Sequence, residues 1–194
     1  MKILRRSGWK FDTSAGGGMS YGPFSAEAGS VGLYDLEGRK HKYFFNAFGP
    51  SVSRSLTTFL HIPQVSLPKF IIKKDELTGS YSTTDFNSYG ALFLTESFKG
   101  TDLKDPRSLE GGTVYLEGAA GYLLGGTGSS MTMGIDRELL VLGIVKPELI
   151  SVAIRSAPAV LAMTGLNEGL QNVGGIGFML GQVTYKGLYS DSLE

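Results

Sequence analysis

The chain has no cysteine, and its two histidines, His41 and His61, stand far apart along 194 residues. Without thiols there is no disulfide scaffold, Cys-ligated zinc, iron–sulfur cluster or thiol catalysis. Neither histidine has a second His or a carboxylate cluster at metal-ligand spacing, so no metal and no cofactor is expected. Charge of one sign is also missing: 18 Lys+Arg balance 18 Asp+Glu. A neutral chain exerts no global attraction on nucleic acid or an anionic membrane. Long apolar runs are absent too. Residues 139–145 form an uncharged apolar run closed by Glu138 and Lys146, far short of the roughly 20 residues a membrane-spanning helix needs. The basic start, Met1-Lys2-Ile3-Leu4-Arg5-Arg6, leads into Trp9-Lys10-Phe11-Asp12 instead of an apolar stretch, so no Sec-type signal is read. The default location is the cytoplasm, with export by a non-Sec route or after loss of a signal peptide left open.

Glycine is what the chain has in excess, 28 of 194 residues, twice the usual share of about 7%. Seven prolines and no Gly-X-Y period exclude collagen, and a 42% hydrophobic share supplies a core for one β-rich domain over 1–194. Glycine inside strands costs entropy and packs nothing, so it needs a reason. The first is relief of crowding in a closed or strongly coiled sheet. The second is close approach of a ligand or backbone, and the third is a membrane barrel.

Period-two patterning supports strands. Residues 31–34 and 40–45 form a hairpin closed through Gly38 at positive φ. Further strands are read at 89–95, at 113–124 and at 129–136, where Met131 and Met133 alternate with Ser130 and Thr132. The runs 139–145 and 150–155 predict a second hairpin, and 176–185 the last strand. Val160, Met163, Leu166, Leu170 and Val173 recur at helical spacing, predicting a helix over about 156–173. Pro63 and Pro68 make 59–74 an edge strand or connection, and 102–112 reads as a loop with one helical turn. The expected fold is mainly β: a compact antiparallel β-barrel or strongly bent β-sandwich with one C-terminal α-helix packed on it.

Chemistry is thin. Gly18-Met19-Ser20-Tyr21-Gly22 matches G-x-S-x-G, but glycines precede it and Pro23 follows, where a nucleophile elbow needs a strand and then a helix. Asp35 and His41 have a triad-like order and read as turn and strand residues. The run 121–130 lacks both the Lys-[Ser/Thr] of a phosphate loop and the third glycine of a dinucleotide fingerprint. Arg39, Lys40, His41, Lys42 and Tyr43 form a basic–aromatic patch, read as an edge strand kept soluble by lysines with His41 exposed or interfacial; neutrality argues against nucleic acid. Tyr115, Tyr122, Met131 and Met133 are the candidate surface for an apolar small ligand or a protein partner.

The leading expectation is a non-enzymatic binding or assembly module, working through a groove or as a homo-oligomer joined at strand edges. Next stands a hydrolase using two carboxylates in a cleft, because scattered acids such as Asp102, Asp105, Glu110 and Glu117 need only converge within about 5–10 Å. The third is a membrane-active secreted protein or toxin whose Gly/Ser-alternating strands at 116–135 refold into a bilayer.

Overall fold

Val31, Leu33, Tyr43 and Phe45 are buried while Lys42 and Phe44 between them are exposed, and this two-residue period sets the plan of the molecule. The computed structural model describes residues 3–21, 24–50, 89–117, 128–164 and 177–189. Eight strands close into an antiparallel barrel: β1 (Ile3–Tyr21), β2 (Phe24–Tyr34), β3 (Lys40–Pro50), β4 (Tyr89–Thr95), β5 (Gly111–Glu117), β6 (Gly128–Met133), β7 (Ala159–Thr164) and β8 (Gly177–Leu188). Around the barrel the order is β1-β2-β3-β8-β5-β6-β7-β4, and β4 pairs back onto β1. The expected antiparallel β-barrel is therefore the fold. Each of these strands is hydrogen-bonded to a neighbour on both sides over at least part of its length.

The β2–β3 hairpin forms as its residues predict. Asp35 and Arg39 close the turn by the Asp35 N–H donating to the Arg39 carbonyl at 3.0 Å, with Gly38 at φ +80°. This turn defines one end of the barrel, the base. β1 ends and β2 begins at the opposite end, the rim, as do the end of β5, the start of β6 and the start of β8. Glycine-rich backbone thus gathers at the rim: residues 15–21 in β1, 128 at the start of β6 and 177–181 in β8. The intervening run 118–127, with Tyr122, lies outside the described residues, as do 59–74 and His61.

The helical content differs in place from the expectation. Residues 139–145 and 150–155, read as strands, fold as α1 (Arg137–Val145) and α2 (Ile150–Ser156). Asp136 caps α1 by accepting the Leu139 N–H at 3.0 Å, and a continuous apolar run has no alternation to oppose a helix. In α2, Ile150, Ala153 and Ile154 are buried at helical spacing while Val152 is exposed. Conversely, 159–164 within the expected helix is strand β7, where Ala159, Leu161 and Met163 alternate with Val160 and Ala162 and both sets are buried. Apolar residues on opposite faces had mimicked helical spacing; the remainder of that helix, 165–173, lies outside the described residues. The two helices pack outside the barrel, where Leu140, Ile150 and Ile154 join Val114 and Leu116 of β5.

Candidate functional site

The pleat of β3 divides the basic–aromatic patch. Lys42 points outward, whereas His41, 2% exposed, and Tyr43 are inside the barrel. The expectation of an exposed or interfacial His41 is corrected by this alternation. Inside the base, His41 Nε2 lies 2.9 Å from Asp35 Oδ2. An ionised carboxylate only accepts, so the imidazole donates there. Its Nδ1 meets the Tyr185 hydroxyl at 2.9 Å, and the Trp9 ring stacks on it at 5.2 Å.

Asp35 is the hub. Its Oδ1 accepts the backbone N–H groups of Glu37 and Arg39, each at 2.9 Å, and its Oδ2 accepts from Arg39 Nε at 2.7 Å as well as from His41. Burial alone pushes this carboxyl up, but the bonds from His41, Arg39 and Glu37 outweigh it and hold it well below the usual carboxylate range. Lys40 is half-buried, its Nζ 2.8 Å from Asp12 Oδ2 and 4.1 Å from the centre of the Tyr189 ring. Burial opposes its charge, yet Asp12 prevails and raises its pKa. Burial, joined by Tyr185, Asp105 and Asp35, pushes the Tyr43 phenol far up, and its hydroxyl donates to the Pro106 carbonyl at 2.9 Å.

Above this network the interior is apolar and filled. Phe11, Leu33, Phe45, Leu92, Leu94, Leu161 and Met179 pack with Tyr115, Met131 and Met133. Three of the four candidate ligand-surface residues are thus core, with Tyr115 stacked on Phe45 at 5.8 Å. Trp9, Asp12 and Tyr185 had no motif to announce them. Tyr185 meets His41 across 144 positions of sequence, a separation that only the β3–β8 pairing closes.

Toward the rim the polarity changes. On the inner side of β2 the series Leu33, Val31 gives way to Gly29 and Glu27, and Glu27 is 5% exposed. The register sets Glu27 opposite Ala47 of β3 and Gly18 of β1, and Ala47 opposite Gly181 of β8. The outer side changes the opposite way. Lys10, Lys42 and Lys186 are exposed toward the base, whereas Ala28, Phe48 and Tyr89 are exposed toward the rim, Phe48 by 58%. Among the described residues no helix is long and apolar enough to cross a membrane, which leaves strands out of consideration, and no three acids or histidines gather as a metal site.

No family profile matches the chain, and no solved structure matches it. It is similar to the toxin protein Tse4 of Pseudomonas aeruginosa, with 24% identity over 188 residues that cover 92% of this chain and 94% of that protein.

Proposed function

We propose that this chain is an exported toxin that acts on membranes, with the rim half of its barrel as the part that enters the bilayer. The observation that carries this reading is the reversal of polarity along one closed barrel. The base half holds the Asp35–His41–Tyr185 network and apolar side chains inside, and its exposed residues include Lys10, Lys42 and Lys186 beside Phe44 and Leu188. On the β2–β3 side the rim half has Glu27, Gly29 and Ala47 inside, with Gly181 of β8 beside them and Met179 buried next to it, and Ala28 and Phe48 exposed outside. Small or polar inside with apolar outside is how a membrane barrel is built. Similarity to a toxin across nearly the full length of both chains supports the toxin part of the reading and favours it over a binding or assembly module.

Eight strands enclose an interior that side chains fill, so ion passage requires those side chains to rearrange in the bilayer, and a path that narrow suits small ions and excludes dyes. Added to vesicles holding a potassium gradient and an encapsulated anionic dye, the protein is expected to collapse the gradient and leave the dye inside. Persistence of the gradient at protein levels that coat the vesicles contradicts the proposal. Glu27→Gln is expected to reduce the preference for potassium over chloride, measured as the reversal potential across a planar bilayer, because it removes a negative charge from the inner wall.

A further inference from the structure

The loop 96–110, which joins β4 to β5, crosses the base opening of the barrel. β4 ends and β5 begins at the base, and β6 and β7 stand between them in the closed sheet. Over β1, Ser7 Oγ donates to Asp102 Oδ1 at 2.6 Å, the Gly8 N–H donates to Asp102 Oδ2 at 2.7 Å, and Arg5 donates to the carbonyls of Gly100 and Thr101. The loop then reaches β3 and β8, the latter opposite β4 in the order of eight. There the Tyr43 hydroxyl donates to the Pro106 carbonyl, and the Arg107 guanidinium lies 5.6 Å from the centre of the Tyr185 ring. Leu103 and Leu109, at 1% and 0% exposure, pack among the interior side chains and so stop the opening.

Two features distinguish this loop from a permanent lid. The first is what lies beneath it. The Trp9 indole donates to the Leu103 carbonyl at 3.0 Å while its ring stacks on His41, which is bonded in turn to Asp35 and Tyr185. Buried imidazole, carboxylate and phenol groups add little stability that apolar packing would not supply, and water can hydrate them where it reaches them. The second is the manner of attachment. The hydrogen bonds from Arg5, Ser7, Gly8, Trp9 and Tyr43 to the loop each use a side chain, and none is a rung of the sheet, so the loop can leave with the strand ladders intact. We infer that the loop 96–110 is the plug of the ion path: it seals the base in water and moves aside when the rim half enters the bilayer, opening the Asp35–His41–Tyr185 network to solvent. The inference rests on the membrane reading above.

Trp9 is the single tryptophan of the chain and 2% exposed, so its fluorescence reports the plug. Ser7→Cys combined with Asp102→Cys places the protein's only thiols where β1 now holds the loop, and a short reductant-cleavable cross-linker between them ties the plug down. The reduced protein is its own control for folding. In water, Trp9 of the wild type should be shielded from acrylamide; on phosphatidylglycerol-containing vesicles it should become quenchable as potassium flows. The cross-linked protein should bind the vesicles as the reduced one does, keep Trp9 shielded and lose potassium flux, and reduction should restore both signals. Equal flux or equal Trp9 quenching with and without the cross-link overturns the plug, as does a wild type that conducts with Trp9 shielded; both leave the membrane reading intact. Loss of vesicle binding on cross-linking assigns the loop to attachment and overturns the plug. Quenching of wild-type Trp9 on vesicles without flux supports withdrawal of the loop and contradicts the ion path, and a wild type that shows neither contradicts both.

Discussion

Replacing Asp35 with alanine is expected to lower stability by about 2–4 kcal/mol, because it removes the acceptor of the buried His41 imidazole and of the turn's backbone N–H groups and leaves those donors in place. Four donors lose their acceptor at once: two backbone N–H groups of the turn, the Arg39 guanidinium and the His41 imidazole. Thermal melting is the measurement, and a fall on the order of 10 °C is expected for a chain of this size. The pH dependence has a definite sign. A carboxyl held below its ordinary value of 3.8 contributes fully above that value and loses its contribution as pH falls below it toward the lower folded-state value. The wild type should therefore lose stability steadily as the solution is acidified below about pH 4. The Asp35→Ala protein should lack that share of the acid sensitivity. A melt unchanged by the substitution would show that the base is held by other contacts.

Gly181→Val is expected to prevent closure between β3 and β8. A Cβ at this position would stand 1.7 Å from the Asn46 carbonyl oxygen and 2.6 Å from Ala47 Cα. Both are backbone atoms of the paired strand, so no rotamer change relieves the overlap. Overpacking of a core costs about 1–3 kcal/mol when side chains yield, and here the strands themselves must separate. Insoluble expression, or a protein without a cooperative melt, is the expected result. Gly38→Asn is the contrasting case. Gly38 needs φ +80° but has nothing within 4 Å of an added Cβ, and asparagine tolerates that conformation, so the stability change should be small.

The two glycines also mark what the sequence makes legible. Gly38 is readable because a hairpin with alternating flanks requires a positive φ there. Gly181 is readable only as an interruption of a strand; that it lets two backbones meet depends on which strand lies beside it. Alternation identified β2, β3 and β8 because each has faces in different surroundings, and it identified β6, buried on both faces, because Met131 and Met133 alternate with polar Ser130 and Thr132. It failed at β7, whose faces are both buried, and at α1, whose apolar run is uniform. In both places local pattern carries no orientation, and neighbouring packing decides between helix and strand. The candidate site shows the same division. Asp35 and His41 were visible as residues of one hairpin, but Tyr185 and Trp9 join them through pairings remote in sequence. The polarity reversal was hidden for a similar reason. Ala28, Phe48 and Tyr89 belong to three strands, and only the register and closure of the barrel bring them to one end.

The absence of cysteine makes the most direct test simple, since one introduced thiol is the only one present. Phe48→Cys and Lys42→Cys place an environment-sensitive fluorophore at two outward positions of the same strand, near the rim and near the base. On addition of anionic vesicles, the probe at 48 should shift to the blue and become quenchable by a lipid-chain quencher. The probe at 42 should keep the emission it has in water. If both probes remain in water while the protein permeabilises the vesicles, or if both shift alike, the rim half is not the part that enters the bilayer.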